Sequence, residues 1–119
     1  RDVPAELAIG QAIDFHLSVG AERKFERLHY LKQYWVERVK DIPGISFYCP
    51  EDSAFSGALT TFGMEGMTGP EIHNFLWQES RIHTTPITHE GIDGVRITPN
   101  IYTSLSDLDK LVSTIHKMK

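Results

Sequence analysis

The chain has a single cysteine, Cys49, so no disulfide can form within it and burial and hydrogen bonding must hold it together. One lone thiol fits a reducing compartment, and the cytoplasm is the expected location. A basic stripe is missing too. Twelve Lys and Arg stand against 16 Asp and Glu, a formal net charge of −4 spread along the sequence, so nucleic acid is not an expected partner. No apolar run approaches the ~20 residues that a membrane span needs, and no membrane partner is expected. The first residues, Arg1 and Asp2, show neither a secretory leader nor an initiator methionine, as expected of a piece of a longer polypeptide. None of the six histidines forms a His-x-His or His-Glu-x-x-His pair, and metal is not expected. Internal repeats and low-complexity tracts are absent.

What is present suits one domain: 119 residues suffice for a core of their own. Asp2-Val3-Pro4 reads as an N-cap with proline in the first turn of a helix reaching about Ser18 and ending at Gly20. Its apolar residues surround most of the axis, which predicts cover on more than one side, some of it from a part of the protein beyond this chain. A second helix is expected over 21–40, with Phe25, Leu28, Lys32, Trp35 and Val39 at helical spacing. Residues 45–48 and 57–64 read as antiparallel strands around an acidic turn at 50–53. Thr68 and Glu71 form a capping box that opens a helix to about Gln78, facing Ile72, Phe75 and Leu76 inward. Strands are expected over 81–85 and 95–98, and a last amphipathic helix from Leu105. The pattern is α+β: a small antiparallel sheet of three to four strands with helices mainly on one face.

The most informative stretch is 91–104, Gly-Ile-Asp-Gly-Val-Arg-Ile-Thr-Pro-Asn-Ile-Tyr-Thr-Ser. Two glycines bracket a polar turn, Val95 and Ile97 alternate around Arg96, and Pro99 ends the ladder. Ser104 and Asp107 then make a second capping box. Arg96 points away from the face that its neighbours bury, a rigid planar guanidinium suited to bidentate capture of a carboxylate.

The run Val95 to Pro99, then Tyr102 to Ser104, then Asp107 to Leu111, resembles the C-terminal signature of class V aminotransferases, fold-type I enzymes dependent on pyridoxal phosphate. Cysteine desulfurases and isopenicillin N epimerases belong to the same group. The resemblance implies a C-terminal small domain in which Arg96 grips the α-carboxylate of an amino-acid substrate. It further implies that pyridoxal 5'-phosphate and its Schiff-base lysine belong to a large domain of the same polypeptide, and that the parent is a homodimer. The family's desulfurase cysteine would fall within 81–93, which has none, so desulfuration is not expected.

Around Arg96, His83, Thr84 and His89 are candidates for an active-site loop, with a solvated polar loop as the plainer alternative. His116-Lys117 imitates the family's cofactor-binding pair, yet it follows the arginine motif and reads better as a helix C-cap. Cys49 reads as a semi-buried thiol at a strand end, and Gly63, Gly66 and Gly69 as turn residues. Trp35 and Trp77 are expected in the core. The rival from another class is a free-standing α+β domain that binds an amino acid without chemistry.

Overall fold

The computed structural model describes residues 3–50, 52 and 55–118. Asp2 as N-cap, and Glu51 and Ser53 of the acidic turn, lie outside them. Among the described residues the chain forms α1 (Val3–Val19), α2 (Ala21–Val39), β1 (Ile45–Phe47), β2 (Thr60–Met64), α3 (Gly69–Ser80), β3 (Thr85–His89), β4 (Ile92–Ile97) and α4 (Leu105–Ile115). The strands build one antiparallel sheet in the order β1-β2-β4-β3. This is the expected α+β class, with four strands.

Phe62 of β2 and Val95 and Ile97 of β4 turn inward to meet Leu31, Trp35 and Val39 of α2, Ile72 and Leu76 of α3, and Leu108, Leu111 and Ile115 of α4. Trp35 is fully buried, its ring 5.9 Å from Phe47 and 6.0 Å from Phe62. Along α2, Lys32, Trp35 and Val39 turn inward as expected and Leu31 joins them, whereas Phe25 is exposed and stacks on His29.

Strand boundaries differ from the sequence reading, β2 beginning at Thr60 instead of Gly57. The third strand is not residues 81–85 but Thr85–His89, and the fourth begins at Ile92 instead of Val95. The reason is a two-residue hairpin. His89 pairs with Ile92, and Glu90 and Gly91 between them have φ of 50° and 81°, as a type I′ turn requires at both central positions. Pro86 is tolerated inside β3 because β3 is an edge strand, where a missing N–H costs no ladder bond.

Gly63 and Gly69 are more than turn residues. A Cβ on Gly94 would lie 2.2 Å from the Phe62 carbonyl oxygen, one on Gly69 would lie 2.4 Å from the Gly94 oxygen, and one on Gly63 would lie 2.7 Å from the Asp93 oxygen. The Gly69 approach seats the start of α3 on β4, and the other two bring the backbones of β2 and β4 together. Asp93 completes the joint, accepting a 2.6 Å hydrogen bond from the Gly69 N–H. Both capping boxes form, with Glu71 accepting from the Thr68 N–H at 2.7 Å and Asp107 accepting from the Ser104 N–H at 3.0 Å.

The first helix stands apart. None of its residues is buried, and Leu7, Ile9, Ile13, Phe15 and Leu17 are all more than half exposed. With α1 projecting, the radius of gyration is 16.2 Å, against ~13.5 Å for a compact chain of this length.

Gly94→Ala should cost about 1–3 kcal/mol through overpacking, whereas Gly10→Ala, with open space around it, should cost nothing; urea unfolding of both variants checks this. A second expectation concerns pH. Hydrogen bonds from Thr68 hold the Glu71 carboxyl below its ordinary 4.5, and those from Ser104 hold Asp107 below 3.8. A depressed native value means that protonation favours the unfolded chain. This stabilisation is therefore complete above the ordinary values and lost as pH falls below them. The urea midpoint should drop on that acid limb, and Glu71→Gln with Asp107→Asn should flatten the drop.

Candidate functional site

β4 positions Arg96 between buried Val95 and Ile97, with Thr61 of β2 and Thr85 of β3 as its register partners. Strand alternation sends its side chain to the face opposite the helices. It is exposed there, and among the described residues no hydrogen bond or ion pair engages it. A guanidinium is always charged and carries five N–H donors in a plane, so this one is available for bidentate recognition of an oxyanion. Thr61 and Thr85 flank it on the same face.

The chain after β4 is held closely. Asn100 and Thr103 close a tight turn, the Asn100 N–H donating to the Thr103 hydroxyl at 2.9 Å and the Thr103 N–H to the Asn100 carbonyl at 2.8 Å. Arg27 of α2 donates to the Thr103 carbonyl at 3.1 Å and ties this loop to the helical layer. Tyr102 remains 82% exposed at the loop tip. Where β4 ends, a cavity of about 250 Å³ opens, lined by Arg81, His83, Thr84, Thr98, Thr103 and Lys110 among others.

The expected active-site loop of His83, Thr84 and His89 is not one loop. His83 and Thr84 precede β3, whereas His89 ends it, beside the hairpin turn. Thr85, not His89, stands opposite Arg96. Four residues of extended chain separate them, roughly 13 Å. His89 lies 3.3 Å from Glu90, both side chains largely in solvent. Thr84 is buried and hydrogen-bonds His73 at 3.1 Å. His83 meets His73 and Trp77 edge-to-face, with centroids 5.3 and 6.5 Å apart, and the Arg81 guanidinium lies 5.4 Å from the Trp77 ring. Trp77 is thus 42% exposed in a histidine cluster, not in the core as expected. Position alone could not show this, because α3 buries Ile72 and Leu76 and turns the next residue outward.

His116 caps α4, its Nε2 lying 3.1 Å from the Arg38 carbonyl, and Lys117 faces Glu79 at 3.7 Å. Cys49 is partly buried just past β1, its sulfur accepting from the Thr61 N–H at 3.4 Å. No group of three or more metal-ligating side chains is found among the described residues. The starts of α3 and α4 have little left for a cofactor phosphate, which binds open N–H groups at a helix start: Asp93 and Glu71 already occupy the first, and Ser104 and Asp107 the second. Sequence reasoning missed Asp93 in this role; a carboxylate two residues from a hairpin carries no signal of the helix that it will meet.

No family model matches the sequence. The chain is 25% identical over 119 residues to an isopenicillin N epimerase of Amycolatopsis lactamdurans, a match covering 99% of this chain and 30% of that protein. The chain thus spans less than a third of the length of the relative that it matches. Among solved structures it is similar to an apo cysteine desulfurase from Thermococcus onnurineus NA1, with a TM-score of 0.78, 18% identity, and coverage of 88% of this chain and 28% of that one. An alanine–glyoxylate aminotransferase from Nostoc sp. gives a TM-score of 0.66 at 18% identity, over 90% of this chain and 29% of the other. At that identity the two structures establish the fold alone.

Because Arg96 has no partner among the described residues, Arg96→Ala should change stability by no more than about 0.5 kcal/mol. Thermal unfolding of the variant reads this directly, and a larger loss would give Arg96 a structural role.

Proposed function

For a chain with the class V aminotransferase-like α+β fold and sequence similarity to isopenicillin N epimerases, we propose the role of C-terminal substrate-binding domain in a pyridoxal-phosphate-dependent enzyme acting on an amino acid. The enzyme is of the class V aminotransferase or isopenicillin N epimerase-like kind. One observation carries this proposal: an exposed guanidinium, without a partner among the described residues, fixed on a central strand.

Arg96 takes the α-carboxylate of the substrate through two parallel N–H···O bonds. Because β4 is paired on both sides, the fork moves little, and binding energy at the carboxylate is converted into orientation at the α-carbon. The cofactor and its Schiff-base lysine belong to a large domain of the same polypeptide, and the parent is a cytoplasmic homodimer. The apolar circumference of α1 supports the large domain as its cover, since an exposed apolar helix of this length marks an interaction surface. The same exposure disfavours the rival, a free-standing amino-acid-binding domain, which needs a polar exterior on that helix.

In the full-length enzyme, Arg96→Lys should lower kcat/KM for carboxylate-bearing amino acids by one to two decades, about 1.5–3 kcal/mol, because a point charge cannot replace a fork. An amine substrate lacking the carboxylate should be unaffected. Equal kcat/KM for wild type and variant on the amino acid would overturn the assignment.

A further inference from the structure

On the opposite face of the sheet from Arg96, α2 and the ends of β1 and β2 enclose a second cavity, of about 300 Å³. Lys32 and Val36 line it from α2, and Phe47, Cys49 and Thr60 from the strands and their ends. Lys32 is only 7% exposed, and its Nζ donates to the Pro50 carbonyl at 3.3 Å. An ammonium has three donors and a full charge. One carbonyl answers one donor, and among the described residues no acidic side chain pairs with the ammonium, which is rare for a lysine buried this far. The acid nearest by position, Glu37 of the same cavity, lies 2.6 Å from Lys40.

Thr60 is 2% exposed, and its Oγ1 has no hydrogen-bond partner among the described residues. A buried hydroxyl of this kind is costly unless something fills the space that it faces. The cavity therefore presents a buried cation and a buried, unanswered donor beside the aliphatic and aromatic walls of Val36 and Phe47.

We infer that this cavity binds a small monocarboxylate with a short apolar body. Lys32 and Thr60 take the carboxylate, Val36 and Phe47 cover the body, and Cys49 forms part of the wall. One ammonium and one hydroxyl match the two oxygens of a carboxylate, whereas a phosphate dianion asks for more donors than these two groups supply. The volume is at the small end of the ~300–1,000 Å³ of ligand pockets. None of this depends on what Arg96 binds: Thr60 pairs with Ile97, and Arg96 pairs with Thr61 and turns the other way.

Cys49, the one cysteine of the chain, reports on the site. Iodoacetate and iodoacetamide alkylate a thiol by the same displacement: the S–C bond forms as the C–I bond breaks, iodide leaves, and the thiol proton goes to solvent. Only iodoacetate carries a carboxylate. The ratio of their rates at Cys49, read by mass spectrometry of its peptide in the full-length protein, cancels the reactivity of the thiol itself. Free cysteine supplies the reference ratio.

The Cys49 ratio should exceed the reference about tenfold, equivalent to ~1.4 kcal/mol. It should return to the reference in Lys32→Gln, fall part of the way in Thr60→Val, and stay unchanged in Arg96→Lys. Propionate should protect Cys49 from iodoacetate better than inorganic phosphate does. A wild-type ratio at the reference would overturn the site, as would an unchanged ratio in Lys32→Gln whose circular dichroism is native. Better protection by phosphate would overturn the carboxylate assignment.

Discussion

The backbone contact between Gly94 and Phe62, extended through Gly69, fixes the geometry on which everything else relies. The ladder of β2 with β4 runs from Thr60↔Ile97 to Phe62↔Val95, and just beyond it the Phe62 carbonyl takes the space that a side chain on residue 94 would need. The start of α3 fits against the same point, and Asp93 satisfies its first free N–H. A helix start would otherwise leave unsatisfied donors at a buried junction. Because α3 and β4 are locked in this way, Val95 and Ile97 must face the helices. Arg96 must then face away.

This gives the domain two unlike faces. The helical side is a closed apolar core centred on Trp35, with α4 packed on α2 and α3 on the sheet. The other side carries Thr61, Thr85 and the Arg96 guanidinium. An arginine there without a counterion among the described residues is electrostatically incomplete, which suits a ligand-binding role better than a stabilising one, since exposed ion pairs contribute little in any case. The α1 helix extends the same logic to apolar surface: its leucines, isoleucines and phenylalanine all stay more than half exposed.

The cavity at Lys32 and Thr60 differs in kind. Arg96 is exposed, so leaving its charge in water costs little, whereas Lys32 and Thr60 are buried and pay desolvation without full compensation. Natural proteins retain such buried polar groups where something other than packing maintains them. The two groups share β2 as a backbone, Thr60 on its inner side and Thr61, the neighbour of Arg96, on its outer side. A sheet of this kind can carry separate chemistry on each face because successive side chains project in opposite directions.

The sequence by itself determined the α+β class, the two capping boxes, the helical extents, the amphipathic α4 and the outward direction of Arg96, because each depends on local rules: hydrogen bonds within one helical turn, or strand periodicity. Tertiary structure alone decided the rest. The strand after α3 moved to Thr85–His89 because a turn with positive φ at Glu90 and an edge position for Pro86 are affordable only once β4 is in place. Gly63 and Gly69 read as turn glycines, and only the arrival of β4 made them points of close backbone contact. Likewise Trp77 went outward, and His89 went to the far end of β3 from Arg96. Each outcome rests on contacts between residues distant in sequence, which neither composition nor periodicity encodes.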